Sequence, residues 1–421
     1  MPTDHIFTSR VAHSSGGGPA LPPWEESMHT FVPSCLLAAA LGLACPAALQ
    51  AGPAAGPATL PGQVQAATAP APASDMPQAA AVQDDAAAQY ALGKRYAEGQ
   101  GVPQDYQIAR SWYIKAASLG HAEALYELGI LDELGKGGPQ NIRSAAVLFE
   151  QAATRGLAGA QYRLGQLYTE GHGVPQNFAA ARRWLEQAAV QGQASAQFSL
   201  GLLCERGLGG PQDYAAAKGW YEKAAAQGCA EALCRLGVLY SQGRGVPQDY
   251  PLAKNWLEQA AAKGHAEAQY SLGMMAELGL GGPMDSRAAA VWFEKAARLG
   301  HVMAQYNLGV LYAQGNGVPQ DFAAARRWWE RAASQDYAGA QYSLGLSYAE
   351  GRGIPQDFAT ARMWWEKAAS QGVPQAQYQL GKLYAEGRGG PQDAEAARSL
   401  FEKACSGGLQ EACTAHNALP R

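Results

Sequence analysis

The sequence has little charge for its length, since Asp, Glu, Lys and Arg make up 16% of its 421 residues. The formal net charge is −4, and residues 1–85 hold six acids but a single base, Arg10, so the rest of the chain is close to neutral. Proteins that bind nucleic acid usually carry an excess of Lys and Arg on one face. The composition therefore predicts no nucleic-acid partner.

Motifs typical of enzyme sites are absent as well. The sequence contains no Gly-x-Ser-x-Gly elbow, no phosphate-binding loop and no His-Glu-x-x-His zinc motif. It also lacks the Ser-x-x-Lys and Lys-Thr-Gly motifs of acyl-serine enzymes that act on β-lactams, which leaves that activity as the weakest alternative. We therefore expect no catalytic residue, no metal ion and no cofactor.

Residues 1–51 resemble an export leader more than part of a folded domain. From Met28, an alternative start, the chain reads MHTFVPSCLLAAALGLACPAALQA, an apolar stretch ending in small residues, with cleavage expected near Ala48 or Ala51. Because this stretch has no Lys or Arg at its start, an uncleaved membrane anchor and a cytosolic chain are the alternatives. Residues 52–85 are rich in Ala, Pro and Gly, which predicts a flexible, disordered linker. We expect an exported protein, either periplasmic or secreted, that touches the membrane through an uncleaved anchor at most.

A motif related to Ala-Gln-Tyr-x-Leu-Gly recurs every 36 residues without insertion or deletion. Its nine copies start at Ala88, Ala124, Ala160, Ala196, Ala232, Ala268, Ala304, Ala340 and Ala376. Such strict spacing is typical of a solenoid, because one inserted residue would rotate a helical face away from the core shared with the next repeat. The sequence predicts nine repeats over residues 86–411, with residues 412–421 as a C-terminal cap or tail.

Each repeat is predicted to form two helices, here called helix A and helix B, joined by a short loop. In the seventh repeat, Ala304–Gln314 has apolar residues at helical spacing, and Gly315 follows as a helix stop. Asp321 stands where helix B needs an acceptor for its free amides. The sixth position is glycine in every repeat, and we expect an aromatic side chain of helix B to pack against it. The predicted partners are Trp112, Trp184, Trp220, Trp256, Trp292, Trp328 and Trp364.

The shared pattern, A-x-Y-x-L-G-x-x-Y-x-x-G-x-G-V-P-Q-D-x-x-x-A-x-x-W-x-x-K-A-A-x-x-G, resembles the Sel-1-like repeat, a relative of the tetratricopeptide repeat with a longer inter-helix loop. The resemblance covers residues 88–411. It implies an all-α fold, a right-handed α-solenoid of nine helix-turn-helix repeats with a concave inner face. It also implies a non-catalytic scaffold or adaptor that binds a protein or peptide, in bacteria often as an exported or envelope protein.

The cysteines allow one pairing to be carried over from the family. Cys405 and Cys413 are separated by seven residues, a spacing that resembles the helix-bridging disulfides of secreted cysteine-rich members. The resemblance therefore implies a disulfide between them. Cys229 with Cys234 is a weaker alternative pair, and Cys204 on helix A is expected to be a small buried hydrophobe.

Differences between the copies follow a pattern of their own. The ninth position is Tyr in most repeats, whereas the second, fourth and sixth have Asp132, Cys204 and Ala276. The same three repeats replace the loop Val or Ile with glycine, namely Gly138, Gly210 and Gly282. The last repeat, with Tyr384 and Gly390, departs from this pairing. We expect the loop Val or Ile to pack on the Tyr ring, so that the two are lost together.

The fourth, seventh and eleventh positions lie on one stripe of helix A and vary most between repeats. The seventh position is apolar in five consecutive repeats, as Leu202, Val238, Met274, Val310 and Leu346. We expect these residues to form the floor of a groove for a peptide or protein segment. The expected polar selectors beside them are Arg163, Arg235 and Asn307. The alternative interpretation, that the apolar residues are core packing between helices, stays open at this point.

Two further sets of residues have a structural and a functional interpretation. His121, His265 and His301 share one repeat position beside the turn between repeats. Because equivalent positions are spread along a solenoid, we expect solvated turn residues there and no metal site. Recognition of a cell-wall glycan or peptide stem is the alternative function, with Trp329 and Trp365 as stacking platforms if helix B exposes them.

Overall fold

The computed structural model describes residues 85–419. Within that range the chain forms nineteen α-helices and no β-strand. The nine A helices are α1 (Ala86–Glu98), α3 (Ala122–Leu134), α5 (Ala158–Glu170), α7 (Ala194–Arg206), α9 (Ala230–Gln242), α11 (Ala266–Leu278), α13 (Val302–Gln314), α15 (Ala338–Glu350) and α17 (Pro374–Glu386). The nine B helices are α2 (Tyr106–Ser118), α4 (Ile142–Thr154), α6 (Phe178–Val190), α8 (Tyr214–Ala226), α10 (Tyr250–Ala262), α12 (Ser286–Arg298), α14 (Phe322–Ala333), α16 (Phe358–Ser370) and α18 (Ala394–Ser406), and α19 (Gln410–Ala418) follows them. The predicted leader, and the linker up to residue 84, lie outside the described residues.

The same local signals begin and end these helices in every repeat. Helix A ends at a glycine in the left-handed region, as at Gly315, where φ is 76°. Glycine adopts this conformation without the steric cost that a side chain brings, so it stops the helix. Helix B begins after an Asp or Asn; Asp321 Oδ1, for example, accepts a hydrogen bond from Ala324 N at 2.9 Å. The stop and the cap predicted for the seventh repeat are confirmed.

The glycine at the sixth repeat position lies against helix B, but its partner is not the predicted tryptophan. A Cβ added at this glycine would meet a helix B side chain that follows the predicted tryptophan position by one residue. The nine side chains are Tyr113, Phe149, Leu185, Tyr221, Leu257, Phe293, Trp329, Trp365 and Phe401. The prediction of Trp112 and its six counterparts was wrong because successive residues are rotated by roughly 100° around a helix, so an error of one residue selects another face.

Alanine and a few larger apolar residues form the core between repeats. A buried cluster joins helix B of one repeat to helix A of the next, as where Ala145, Phe149 and Ala152 of α4 meet Leu164 and Leu167 of α5. Each helix packs against the helix before it and the helix after it in the chain. Nearest-neighbour packing of this kind is what defines a solenoid, and the predicted α-solenoid of nine helical hairpins is confirmed.

A buried glutamine links each of several repeats to the repeat before it. Gln305, at the second position of the seventh repeat, is buried, and its Nε2 donates to Ala297 O of the preceding helix B at 3.1 Å. Its Oε1 accepts from Gln335 Nε2 at 3.0 Å. Gln161 and Gln197 make the same pair of bonds in the third and fourth repeats. These bonds satisfy carbonyl groups at the helix ends that burial would otherwise leave unpaired.

In the second, fourth and ninth repeats, an arginine from the preceding repeat lies against the loop glycine. Arg362 lies against Gly390, and its guanidinium is 3.9 Å from the ring centroid of Tyr384. The last repeat therefore keeps its tyrosine although it has lost the loop valine. In the second repeat, Arg110 forms an ion pair of 2.5 Å with the buried carboxylate of Asp132. An arginine of the preceding repeat thus takes part in the contact between the loop and the ninth position, which the pairing of those two positions in the sequence did not reveal.

Helix α19 closes the C-terminal end of the array. It packs against α18, and Ala412 is buried between the two helices. Cys405 of α18 and Cys413 of α19 form a disulfide in the structure, with their Cα atoms 4.7 Å apart. The helix covers the apolar edge of the ninth repeat that a further repeat would otherwise cover.

Candidate functional site

The predicted stripe runs along five successive A helices, from α7 to α15. Leu202 is buried, whereas Val238, Met274, Val310 and Leu346 are half-buried. Met274, Val310 and Leu346 pack at the margins of the buried clusters between repeats. The stripe is therefore part core and part surface, and each half-buried residue has one side against its neighbours and another toward solvent.

Two of the predicted polar selectors bridge neighbouring repeats, Arg163 before the start of the stripe and Arg235 within its length. Arg163 Nη2 binds Glu133 Oε2 of the preceding repeat at 2.7 Å. Arg235 lies 3.7 Å from Glu205 in the same arrangement, and Glu205 also accepts a hydrogen bond of 2.5 Å from the Tyr221 hydroxyl. The fourth position of helix A therefore lies next to the tenth position of the repeat before it.

The third predicted selector, Asn307, makes a contact of another kind. Its Nδ2 is 3.4 Å from Met274 Sδ, at the seventh position of the preceding repeat. This contact places the amide directly beside the stripe. Asn307 and Met274, which the sequence assigned to one surface, are thus brought together.

Sequence reasoning missed the glutamates of the tenth position. They are Glu133, Glu205 and Glu277. They occur in the second, fourth and sixth repeats, the same three that lack the ninth-position tyrosine, whereas the other repeats have Ala, Ser or Thr there. That alternation could have indicated a special role for these glutamates. The arginines at the fourth position of the following A helix, Arg163 and Arg235, could have indicated their partners.

His121, His265 and His301 are helix caps, so the prediction of solvated turn residues was wrong. The Nδ1 atom of each accepts a hydrogen bond from the third amide of the following A helix, at 3.2 Å for His301. The His301 ring also stacks on Tyr270 with 4.5 Å between centroids, and its Nε2 is 3.0 Å from Glu267 Oε2. A side chain that caps a helix must turn toward the backbone, which takes its ring out of solvent.

The tryptophans considered as stacking platforms are buried between helices. Trp329 is 7% exposed and Trp365 is 2% exposed, and both donate through Nε1 to carbonyl oxygens of helix A in the same repeat. The half-buried tryptophans are one residue earlier in helix B, as Trp220 is. A cation often covers their rings, and Lys223 Nζ lies 4.0 Å from the ring centroid of Trp220. The glycan hypothesis loses the two residues on which it depended.

Reactive groups in the described part of the chain are enclosed or dispersed. Cys204, Cys229 and Cys234 are buried, and burial raises the pKa of the Cys234 thiol to about 12, which makes it a poor nucleophile. Across residues 85–419, no three His, Cys, Asp or Glu side chains are grouped so as to hold a metal ion. In the same range, no helix has the length and apolar character needed to cross a bilayer.

Comparison with known proteins identifies the repeat. The Sel1 repeat matches nine consecutive segments, residues 86–121, 122–157, 158–193, 194–229, 230–265, 266–301, 302–337, 338–373 and 374–409. The chain is similar to c5321, a protective antigen present in uropathogenic Escherichia coli strains displaying an SLR fold, with 31% identity, 79% of each chain covered and a TM-score of 0.61. It is also similar to a Sel1 repeat protein from Oxalobacter formigenes, with 31% identity over 82% of this chain and 98% of the other, and a TM-score of 0.59. No curated protein matches the chain at a significant level.

Proposed function

The chain belongs to the Sel1 repeat family, and we propose that it is a non-catalytic scaffold of the bacterial cell envelope that binds a protein segment along its helix A stripe. Sel1 repeat proteins are in general protein-interaction scaffolds. The observation that carries the proposal is the continuous row of half-buried apolar side chains on consecutive A helices, from Val238 to Leu346.

The physical basis of binding is the apolar surface that this row leaves in water. Covering apolar surface is favourable by roughly 25 cal/mol per Å². A helix or extended segment laid across the A helices would cover Val238, Met274, Val310 and Leu346 together. The bridging pairs beside them, such as Arg235 with Glu205, supply polar groups that orient the bound segment.

Export is proposed from the two ends of the chain. The leader has the apolar stretch and small-residue end of a secretory signal. A disulfide between Cys405 and Cys413 suits an oxidising compartment, where such bonds persist. Both features favour a periplasmic or secreted protein.

A crosslinking pull-down from intact envelope tests the proposal. It compares the wild-type chain with a variant carrying Val238→Glu and Met274→Glu. The matched control carries Val147→Glu and Val291→Glu, which put the same charges on exposed valines of B helices. Circular dichroism first establishes that all three proteins are folded.

A protein partner lost from the stripe variant and kept by the control would support binding on helix A. Equal recovery of that partner by all three chains would contradict it. Recovery of wall fragments without any protein would replace the proposal with the glycan alternative.

A further inference from the structure

Alternate repeats carry a glutamate at the tenth position of helix A, and for two of these the next repeat supplies a cation. Glu133 of α3 binds Arg163 of α5 at 2.7 Å, and Glu205 of α7 lies 3.7 Å from Arg235 of α9. In both pairs the arginine holds the fourth position of its helix. The second pair borders the stripe, and the first lies two joints earlier along the array.

The third glutamate of the series, Glu277 of α11, has no such cation. Asn307 occupies the fourth position of the next helix, and its amide contacts Met274 instead. Glu277 Oε2 is buried and has no hydrogen-bond partner among residues 85–419. Burial raises the pKa of Glu277, a hydrogen bond from Ser286 opposes the rise, and no charged side chain in that range contributes. Glu277 as a whole is half-buried, and a partly desolvated carboxylate without a cation is costly, so a cation brought from outside would be stabilising.

Apolar side chains surround this glutamate on the same surface. Met274 lies about one turn before it on α11, and Leu278, the next residue, is 54% exposed. Val310 continues the stripe on α13. A chain lying across α11 and α13 therefore meets apolar surface on both sides of a single carboxylate.

We infer that the bound segment carries an arginine or lysine between apolar residues, and that its cation docks against Glu277 in the place that Arg163 and Arg235 fill for the other two glutamates. The inference rests on the proposed function, because it needs a protein segment bound along the stripe. An arginine fits best, since its guanidinium can donate two parallel hydrogen bonds to one carboxylate.

The second repeat provides a matched control within the same chain. On α3, Ile130, Glu133 and Leu134 hold the positions that Met274, Glu277 and Leu278 hold on α11, and Leu134 is 55% exposed. The difference is that Arg163 already neutralises Glu133. Asn307→Arg should therefore close the site at Glu277, whereas Arg163→Asn should free the carboxylate of Glu133, at a site where Gln166 stands in place of Val310.

A phage-displayed library of random dodecapeptides, selected on the full chain, provides the probe. We expect the enriched peptides to combine Arg or Lys with apolar residues. An arginine-containing peptide is then synthesised with its arginine or with citrulline, a neutral analogue, and its Kd is measured by fluorescence anisotropy. We expect binding to weaken about tenfold with each of three changes, Asn307→Arg, Glu277→Gln and the exchange of arginine for citrulline. Because all three remove the same ion pair, the citrulline peptide should bind the Asn307→Arg variant as well as it binds the wild-type chain.

The same measurements separate this inference from the proposed function. Adding Arg163→Asn to Asn307→Arg should restore affinity only in part, because it moves the free carboxylate to the second repeat, where Gln166 takes the place that Val310 has at the Glu277 site. Peptides whose binding fails with Val238→Glu but is unchanged by Asn307→Arg would overturn the inference and leave the stripe as the binding surface. If no selected peptide loses affinity with Val238→Glu or with Asn307→Arg, both the inference and the proposed function are contradicted. Circular dichroism of every variant confirms that a loss of binding is not a loss of fold.

Discussion

Two helix glycines in this chain have opposite effects on stability. Gly345 of α15 lies so close to helix B that an added Cβ would overlap the indole nitrogen of Trp365. Gly219 of α8 has no neighbouring heavy atom within 4 Å of that position outside its own helix. Glycine is needed for close approach at the first position, whereas at the second it adds only freedom to the unfolded chain.

Gly345→Ala and Gly219→Ala should therefore change stability in opposite directions. The first should destabilise the protein by about 1–3 kcal/mol, because Trp365 must move and loses the hydrogen bond from its Nε1 to Tyr342 O. The second should stabilise it by about 0.5–1 kcal/mol, through the higher helix propensity of alanine. Urea denaturation followed by tryptophan fluorescence measures both changes. A neutral result at Gly345 would show that the two helices are packed less tightly than the structure indicates.

At the scale of the helix, the start of α11 combines a cap with a buried titratable group. His265 Nδ1 accepts a hydrogen bond from Ala268 N at 3.2 Å, and burial lowers the pKa of the imidazole. The charged and titratable groups that face it are Glu231, Glu267, Arg235 and His301. The hydrogen bond from His301 lowers the pKa of Glu267, which lies in the first turn of the same helix. Both groups make the folded state hold its protons more weakly than the unfolded state.

Acidification is therefore expected to destabilise the middle of the array. Between the lowered pKa of His265 and its ordinary value of 6.5, the unfolded chain binds a proton that the folded chain does not, so stability falls as the pH falls. Glu267 adds to the loss at lower pH, as its own folded-state pKa is crossed. His265→Asn keeps a cap acceptor but does not titrate, so it should flatten the first part of the decrease. Urea midpoints measured between about pH 8 and pH 5 test this, and an identical profile for the variant would place the sensitivity elsewhere.

Across the whole molecule, the B helices of the second and sixth repeats are close equivalents. Both have a phenylalanine beneath the glycine of helix A and four buried alanines at matching positions, Ala145, Ala146, Ala152 and Ala153 in α4 and Ala289, Ala290, Ala296 and Ala297 in α12. Because helices pack on their chain neighbours, the joint after α4 should accept the helix that normally follows α12. The second and sixth repeats should therefore be interchangeable at the joint that follows them.

Deletion of residues 158–301, which removes four repeats and joins α4 to α13, should leave a folded array with one cooperative transition. Deletion of residues 158–265 removes three repeats and joins α4 to α11, where Ala146 would face Ala276 and leave a void in place of a longer side chain. We expect the midpoint of the three-repeat deletion to be lower even though that chain is longer. Thermal unfolding followed by circular dichroism compares the two, and a higher midpoint for the three-repeat deletion would show that the joints after α4 and α12 are not equivalent.

Agreement between sequence and structure was best where the signal is local. The stop at Gly315 and the cap at Asp321 depend on a few neighbouring residues, and both were predicted correctly. The partner of the sixth-position glycine was assigned one residue too early, and His301 was taken for a surface residue. The first error concerns the rotation of a helix against its neighbour, which a periodic pattern defines only to within about one residue, and the second concerns a side chain that turns back to cap its own helix.

The sequence alone determined the class of fold, because a 36-residue period with a glycine stop and an acidic or amide cap in each copy permits one arrangement, a stack of helical hairpins. It also determined which positions of helix A form the variable stripe. The tertiary structure decided which side chains meet across the joints, since residues about thirty positions apart are brought together only when one repeat packs on the next. That packing pairs Glu133 with Arg163, buries Trp365, and leaves Glu277 beside the shorter Asn307.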